Sequence, residues 1–131
     1  MLVAGIMSGT SVDGVNIALV EIRGRGLQQH IQPLAFYSEL YPKKVREGIL
    51  AISNKPTHTA QISQMNFFLG EVFSEAMISA CKRHSIPLKK LALIGSHGQT
   101  IYHQGAPSRL LGRLVASTLQ IGEPTVIAER T

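Results

Sequence analysis

Hydrophobic and polar residues follow one another in three blocks along the first forty residues, and each block predicts a β-strand. Leu2–Met7 is an almost unbroken apolar run, typical of a buried strand, and Gly14–Arg23 alternates between apolar and polar residues. His30–Glu39 forms the third block, where Pro33 favours a sheet edge or a bulge because proline cannot donate to a ladder of hydrogen bonds. With a turn at residues 24–26, these blocks predict an antiparallel meander.

The next two blocks have the three-to-four-residue period of amphipathic helices. Pro42 is predicted to start the first helix, and the Asn-Lys-Pro sequence at residues 54–56 to end it. A second helix is predicted to follow a cap at Thr57 or Thr59 and to run to about His84. The apolar positions expected to face the core are Val45, Ile49 and Ile52 in the first helix, and Ile62, Met65, Leu69, Val72, Phe73, Ala76, Met77, Ala80 and Cys81 in the second.

After the second helix, the apolar stretch Leu91–Gly95 predicts a short parallel strand that is buried on both faces. Residues 96–116 are rich in Gly, His, Gln and Arg, and are predicted to be irregular. Thr118–Ile121 predicts another short strand, and Pro124 suits the first turn of a helix over residues 125–130. This order of elements predicts an α/β fold, in which helices flank a mixed sheet.

The link between the first two predicted strands carries more polar groups than a chain reversal needs. A tight hairpin uses two residues, whereas residues 8–13 read Ser-Gly-Thr-Ser-Val-Asp. Glycine lets the backbone approach a ligand, N–H groups in a turn can form an anion site, and Asp13 could hold Mg²⁺ directly or through water. The loop lacks the lysine of G-x-x-x-x-G-K-[ST] and the spacing of G-x-G-x-x-G. Either a polyphosphate site or an ordinary polar hairpin loop fits this pattern.

A second polar cluster, Gly95–Thr100, directly follows the predicted parallel strand. Ligands of open α/β sheets bind beyond the carboxyl ends of such strands. The cluster contains a hydroxyl, an imidazole, an amide and a second hydroxyl, a set of groups that suits a polyol or sugar. The alternative is a plain polar loop in which His97 is a structural hydrogen-bonding group. Farther along, Arg130 either clamps a carboxylate or is an exposed arginine at a helix end.

Composition narrows the class of protein. The chain has 131 residues, of which 44% are hydrophobic and 16% charged, which is typical of one globular domain with an aliphatic core. Its net charge of +5 is scattered, so acidic small molecules are favoured as partners over nucleic acids. The single Cys81 is expected to be a buried thiol in a reducing compartment. No signal peptide or membrane-spanning stretch is recognised, so a cytoplasmic protein without membrane contact is expected.

Three ordered motifs extend over the whole chain. Residues 5–14 read Gly-Ile-Met-Ser-Gly-Thr-Ser-Val-Asp-Gly, residues 94–100 read Ile-Gly-Ser-His-Gly-Gln-Thr, and residues 119–124 read Leu-Gln-Ile-Gly-Glu-Pro, followed by Ala-Glu-Arg-Thr at 128–131. In this order they resemble the anhydro-N-acetylmuramic acid kinase family. The resemblance implies the ribonuclease-H-like, mixed-sheet fold of the actin-like ATPase and sugar-kinase superfamily, present here in incomplete form.

The resemblance also implies an activity. ATP and Mg²⁺ would be used to open the 1,6-anhydro ring of anhydro-N-acetylmuramate: water attacks the anomeric carbon while the 6-oxygen takes the γ-phosphoryl group. The product would be N-acetylmuramate 6-phosphate, made in the cytoplasm during bacterial cell-wall recycling. The partner would be a small amino sugar, with neither nucleic acid nor membrane involved, and members of the family are expected to act as homodimers.

Site residues follow from the resemblance position by position. The ATP phosphate loop would comprise Gly9, Thr10, Ser11, Val12, Asp13, Gly14, Val15 and Asn16. Asp13 would be the metal ligand, and the sugar contacts would be Gln99, Thr100 and Arg130, with Ser96 and His97 shaping their loop. Two positions depart from the pattern. Asn16 replaces the usual acidic residue of the family, and Met7 occupies the place where sugar kinases of the wider superfamily have Asp.

Chains of this family are much longer. The second phosphate loop, the adenosine site, the second lobe and the general base are all expected beyond Thr131. Residues 1–131 are therefore expected to be the amino-terminal part of the first lobe, with no catalytic residue of their own and no activity alone, since phosphoryl transfer needs both lobes to position the reactants. The alternative is a free-standing nucleotide-binding or interaction module without kinase activity.

Overall fold

Five strands form one mixed sheet in the computed structural model, which describes all residues from Met1 to Thr131. The strands are β1 (Leu2–Ser8), β2 (Gly14–Arg23), β3 (His30–Leu40), β4 (Leu91–Leu110) and β5 (Arg113–Ile121). The helices are α1 (Lys43–Ile52), α2 (Thr59–Arg83) and α3 (Pro124–Arg130), with short 3₁₀ turns at Gly26–Gln28 and Leu88–Lys90. The predicted α/β class is confirmed.

The strand order across the sheet is β3-β2-β1-β4-β5. Strands β1 and β4 are parallel, and every other neighbouring pair is antiparallel. This arrangement confirms the predicted meander and the incomplete, ribonuclease-H-like mixed sheet. Because β1 and β4 run in the same direction, their carboxyl ends meet at one edge of the sheet, which is where ligands of such sheets bind.

The core lies between one face of the sheet and the helices. Alternate residues of β1 and β2 point into it, among them Ile6 and Ile17, which are 3% and 0% exposed. Helices α1 and α2 contribute the apolar faces that the sequence predicts, with Ile49 and Phe73 fully buried. Most of the core is aliphatic, as expected. Cys81 is a buried free thiol whose pKa is raised by burial, and no helix is both long and apolar enough to cross a membrane.

Pro33 has the position that the sequence predicts. Strand β3 is an edge strand, and its register with β2 shifts between Leu19, which pairs with Ala35, and Val20, which pairs with Pro33. The residue between Ala35 and Pro33 is therefore bulged out of the ladder. A bulge at an edge strand tolerates the missing N–H group of proline.

The predicted cap of α2 is wrong. Neither Thr57 nor Thr59 is the N-cap; His58 holds that position, with extended backbone angles of −84° and 140°. The His58 N–H donates to Gln61 Oε1 at 3.3 Å, and the Thr57 hydroxyl donates to the same oxygen at 2.8 Å. Gln61, in the first turn, therefore accepts the hydrogen bonds at the start of this helix, where the sequence predicts a threonine cap.

The predicted end of the sheet is also wrong. Residues 96–116 are not irregular, because β4 continues through Leu110 and pairs with β5 in a long antiparallel ribbon. Between the pairs Gln104–Ser117 and Ser108–Val115, three residues of β4 lie opposite one residue of β5, so the glycine and proline among them are absorbed in a bulge. Strand β5 likewise begins at Arg113, five residues before the predicted Thr118.

The first part of β4 is not buried on both faces. Leu93 is 55% exposed, and β5 pairs with β4 only from Gln99 onward, so β1 is the sole neighbour of residues 91–98. An apolar run therefore forms an open sheet edge in this chain. Its parallel pairing with β1, by contrast, is confirmed, and that pairing positions the candidate site.

Candidate functional site

The β1–β2 loop, residues 9–13, is anchored in the core by its one apolar side chain. Val12 is 2% exposed, whereas Thr10, Ser11 and Asp13 are exposed. The backbone of Val12 has a φ of 53°, a left-handed conformation that is unfavourable for a β-branched residue by about 1–3 kcal/mol. Burial of the valine side chain therefore holds a strained turn, which presents its polar neighbours to solvent.

A buried polar cluster, formed by Ser8, Tyr41 and Gln99, lies next to this loop. Ser8 and Gln99 are fully buried, and Tyr41 is 7% exposed. The Ser8 hydroxyl oxygen is 2.6 Å from Gln99 Oε1 and 2.8 Å from the Tyr41 hydroxyl oxygen. Burial raises the pKa of Tyr41 to about 12, although its hydrogen bond with Ser8 acts in the opposite direction. The phenol therefore stays protonated at neutral pH and serves the cluster as a hydrogen-bond donor.

The polar cluster holds both ends of the β1–β2 loop through backbone carbonyls. Gln99 Nε2 donates to the Gly9 carbonyl at 2.8 Å. The Ser8 hydroxyl, whose single proton is shared with Gln99, donates to the Gly14 carbonyl at 2.8 Å. The N–H of Tyr41 donates to the carbonyl of the last loop residue at 2.9 Å. The loop is thus fixed from the inside, by groups that a bound ligand would not touch.

Several donors of the loop remain available for an anion. The N–H groups of Gly9, Thr10, Ser11 and Asp13 donate to no carbonyl of the protein; only that of Val12 does, to the Gly9 carbonyl at 3.2 Å. Exposed hydroxyls lie beside these N–H groups. Consecutive N–H groups in a turn form a concave anion site without any positively charged side chain. The loop therefore offers the type of donor set that binds a phosphate group.

Asp13 is the only carboxylate of this loop, and it is exposed. Magnesium in nucleotide sites takes one or two carboxylates together with phosphate oxygens and water, so a single Asp13 fits that role. No three His, Cys, Asp or Glu side chains are grouped to hold a metal ion by themselves. Asn16 pairs with Met7 across the strands, and its Oδ1 accepts the Ser38 hydroxyl at 2.8 Å. Asn16 and Met7, the two positions that depart from the expected acidic pattern, therefore lie side by side. The Val15 side chain, between Gly14 and Asn16, is buried in the core.

The second polar motif lies at the carboxyl end of the parallel part of β4. In the β1–β4 register, Ser8 pairs with Gln99, which brings the two motifs together. Ser96 Oγ accepts the Gly98 N–H at 3.2 Å, and His97 Nδ1 lies 3.3 Å from the Gly98 carbonyl oxygen. Both side chains therefore support the local backbone. Ser96 also borders an apolar groove of about 450 Å³ between β4 and α3.

A polar cleft of about 350 Å³ joins the two motifs. Thr10 and Val12 of the β1–β2 loop form one side, and Thr100 with residues 101–103 of β4 forms another. The end of α1 completes the lining with Leu50, Ser53, Asn54 and Lys55. The hydroxyls suit a sugar, and Lys55 adds a positive charge that favours an anionic one.

Arg130 lies apart from this polar cleft. It belongs to the last turn of α3 and forms a bidentate ion pair with Glu71 of α2, at 2.9 Å from Nε to Oε2 and 2.8 Å from Nη2 to Oε1. These hydrogen bonds lower the pKa of Glu71 and raise that of Arg130. Neither residue lines the cleft. The structure thus brings Gln99 and Thr100 to the β1–β2 loop and leaves Arg130 elsewhere.

Comparison with known proteins covers the chain from end to end. The family model for anhydro-N-acetylmuramic acid kinase matches residues 1–131. The chain belongs to this family. A protein of that name from Caldanaerobacter subterraneus subsp. tengcongensis is 48% identical over 131 residues, which are 99% of this chain and 33% of the relative. Proteins of the same name from Bacillus cereus strains G9842 and AH820 are 44% and 42% identical, and the match covers 100% of this chain and 34% of each relative.

The resemblance seen in the three sequence motifs is therefore confirmed. The chain spans about a third of the length of the curated relatives it matches. The family name describes the relatives as kinases of an anhydro sugar.

Two residues of the site are missing from the sequence reading. Tyr41 belongs to the buried polar cluster, and the available signal is its position directly before Pro42, which fixes the backbone at the start of α1. Lys55 lines the polar cleft, but within an Asn-Lys-Pro helix end it gives no local signal. Ser8 begins the polar stretch of residues 8–13, but its hydroxyl is fully buried and bonded within the protein.

Proposed function

We propose that this chain supplies the phosphate loop and part of the sugar site of an ATP-dependent kinase that acts on 1,6-anhydro-N-acetylmuramate. The observation that carries the proposal is the β1–β2 loop itself, in which four of the five N–H groups donate to no carbonyl of the protein while both ends are fixed by buried hydrogen bonds. Membership of the anhydro-N-acetylmuramic acid kinase family supports the substrate.

The proposed reaction combines hydrolysis with phosphorylation. A water oxygen bonds to the anomeric carbon, the bond from that carbon to the 6-oxygen breaks, and the 6-oxygen bonds to the γ-phosphorus with release of ADP and a proton. Mg-ATP supplies the phosphoryl group when bound. The product, N-acetylmuramate 6-phosphate, would enter peptidoglycan recycling in the cytoplasm.

The residues of this chain receive separate tasks in the proposal. The N–H groups of Gly9, Thr10, Ser11 and Asp13 bind phosphate oxygens, and Asp13 holds the cation. Thr100 contacts the sugar in the polar cleft, opposite Thr10. Arg130 contacts the sugar only if its ion pair with Glu71 breaks and its guanidinium pairs with the carboxylate of the substrate instead. Gln99 has its amide fully engaged inside the protein, so it acts on the sugar through its neighbours.

Residues 1–131 form the amino-terminal part of the first lobe in this proposal. The general base, the adenosine site and the second phosphate loop lie in further polypeptide, and the complete protein is expected to act as a homodimer. The spans of the relatives support this division, since this chain covers only 33% or 34% of each.

An activity assay on the complete gene product tests the proposal. It receives Mg-ATP and anhydro-N-acetylmuramate, and the phosphorylated sugar is followed by ³¹P NMR. Asp13→Ala is expected to lower kcat/KM by about a hundredfold, because the charge of the cation is no longer held at the phosphates. His84→Ala, in the exposed turn after α2, is the control and should keep full activity. Equal losses in both variants would contradict the assignment, and Mg-ATP binding without product would favour the nucleotide-binding module.

A further inference from the structure

We propose that Gln99 is a positioning residue that couples the β1–β2 loop to the sugar side of the polar cleft. Its side chain is fully buried and makes four hydrogen bonds. Oε1 accepts the Ser8 hydroxyl at 2.6 Å and the Tyr41 hydroxyl at 3.4 Å. Nε2 donates to the Gly9 carbonyl at 2.8 Å and to the Thr100 carbonyl at 3.0 Å. Two protons and two lone pairs are the full capacity of an amide, so every one is used.

The orientation of this amide is dictated by its surroundings. The carbonyls of Gly9 and Thr100 can only accept, so the nitrogen must face them. The hydroxyls of Ser8 and Tyr41 can donate, so they face the oxygen. A flipped amide would place its oxygen against the carbonyls of Gly9 and Thr100 and leave both without a donor in a buried site, which is strongly unfavourable.

One NH₂ group therefore bridges the two regions that are assigned to different ligands. Gly9 begins the β1–β2 loop, and Thr100 lines the polar cleft opposite Thr10. A shift of Thr100 when a sugar fills the cleft moves the nitrogen that holds Gly9, and the reverse holds when phosphate binds. Such a link makes the two affinities depend on each other by the same factor. This inference rests on the proposed function for the two ligands and adds the residue that connects them.

Gln99→Glu tests the bridge with a change of very few atoms. At neutral pH the introduced carboxylate has no proton for either carbonyl, so both lose their donor. Burial raises the pKa of such a carboxyl, and once protonated it donates its single proton to one of the two carbonyls while its other oxygen still accepts. The variant should therefore recover as the pH falls. Gln104→Glu is the matched control, since Gln104 Nε2 also donates to a backbone carbonyl, that of Ala106 at 3.1 Å, but Gln104 does not line the polar cleft and its oxygen, which accepts the Tyr102 hydroxyl, is kept.

Hydrogen exchange of this chain reads the loop directly. The N–H of Val12 bonds to the Gly9 carbonyl, the N–H of Tyr41 bonds to the carbonyl of Asp13, and the N–H of Ile22 reports the far end of the same hairpin. In Gln99→Glu, exchange at the first two should rise about tenfold over the unsubstituted chain at pH 7.5, the size expected for a lost buried hydrogen bond, and return toward it near pH 5. Exchange at Ile22 and in Gln104→Glu should not change.

Two exchange results would overturn the inference. An unchanged loop would show that Gln99 does not hold it, and equal acceleration at all three amides with no recovery at pH 5 would show a general loss of stability. Should Gln99→Glu fail to fold, Tyr41→Phe provides the same readout with a smaller change. It removes one donor to Oε1 and should raise loop exchange about threefold.

A nucleotide titration separates this inference from the proposed function. Mg-ATP is titrated into the complete gene product with and without anhydro-N-acetylmuramate. The sugar should change the Kd of Mg-ATP in the unsubstituted protein and in Gln104→Glu, but not in Gln99→Glu at pH 7.5. A protein that binds no Mg-ATP would sink the proposed function and its coupling, while the exchange result would still decide whether Gln99 positions the loop. Equal coupling in both variants would overturn the role of Gln99.

Discussion

Two chain reversals in this molecule join antiparallel strands in opposite ways. The turn from β4 to β5 consists of Leu111 and Gly112, whose φ angles of 47° and 83° are the pair of positive values found in the tightest hairpins. Leu111 is 96% exposed, so nothing holds it from inside. The β1–β2 loop also contains a positive φ, at Val12, but there the side chain is 2% exposed.

The difference separates the residues that a chain reversal needs from the buried support that the β1–β2 loop has in addition. Two residues suffice to turn β4 into β5, whereas the β1–β2 loop uses five and has a buried valine and three buried polar side chains to hold it. Those contacts fix backbone N–H groups that bond to no protein carbonyl. Rigid support beneath free donors is the arrangement that a preorganised anion site requires.

The largest contrast is expected between the two glycines at these reversals. A Cβ on Gly14 would collide with the carbonyl oxygen of Glu39, and backbone cannot move aside easily. Gly14→Ala should therefore lower the free energy of unfolding by about 3 kcal/mol or more. A Cβ on Gly112 would meet no atom within 4 Å, and only the φ of 83° is unfavourable for alanine. Gly112→Ala should therefore lower the free energy of unfolding by about 1–2 kcal/mol. Urea unfolding measures both, and a larger loss for Gly112→Ala would reverse the comparison.

Alkaline pH should weaken the support of the β1–β2 loop. Burial raises the pKa of Tyr41 from 10.0 to about 12, so the folded protein holds this proton more tightly than the unfolded chain. The resulting stabilisation is complete below pH 10 and is lost as the pH rises through 12. It amounts to roughly 2–3 kcal/mol.

Tyr41→Phe isolates this contribution, because the variant has no proton to lose at that position. Its free energy of unfolding should fall less than that of the unsubstituted chain between pH 10 and pH 12. Tyrosinate absorbance should also show one phenol fewer titrating at the high end of that range. Parallel pH curves for the two proteins would mean that the Tyr41 hydroxyl is not buried as described.

The two positive-φ side chains give a smaller but cleaner contrast. Val12→Ala and Leu111→Ala both keep a Cβ on a left-handed backbone, so they compare mainly burial, less the part of the strain that the branched side chain adds at Val12. Removing the buried valine methyl groups should cost about 2 kcal/mol, whereas trimming the exposed leucine should change stability by less than about 0.5 kcal/mol. Thermal or urea unfolding decides between them, and equal costs would deny the anchoring role of Val12.

The sequence predicts the first half of the fold well because its signals are local. Strands β1 to β3 and helices α1 and α2 each follow from their own hydrophobic period, and Pro33 marks its own bulge. The β4–β5 ribbon could not be predicted in this way. Its glycine and proline are locally typical of a loop, and only pairing with a strand farther along the chain makes residues 96–110 extended.

The site shows the same division. The polar excess in residues 8–13 and 95–100 is visible in the sequence and locates both motifs. The bond from Ser8 to Gln99 joins residues 91 positions apart, so no local pattern reveals that the amide faces inward. Lys55 enters the polar cleft for the same reason, since its place depends on how α1 packs beside β4.

Gly9→Ala is expected to have the smallest effect on the fold, and it tests most directly whether the β1–β2 loop binds phosphate. A Cβ on Gly9 meets no protein atom within 4 Å, and the same is true of Gly5 in β1. Neither variant should change the unfolding free energy by more than about 0.5 kcal/mol. In the proposed phosphate site, however, the new methyl group on Gly9 would lie where the phosphate approaches the backbone.

The decisive measurement is therefore the Kd of Mg-ATP for the complete gene product, for Gly9→Ala and for Gly5→Ala. We expect Gly9→Ala to weaken binding by about tenfold or more, equivalent to about 1.4 kcal/mol, and Gly5→Ala to bind as the unsubstituted protein does. Equal affinities for all three proteins would contradict the claim that the β1–β2 loop binds the phosphates.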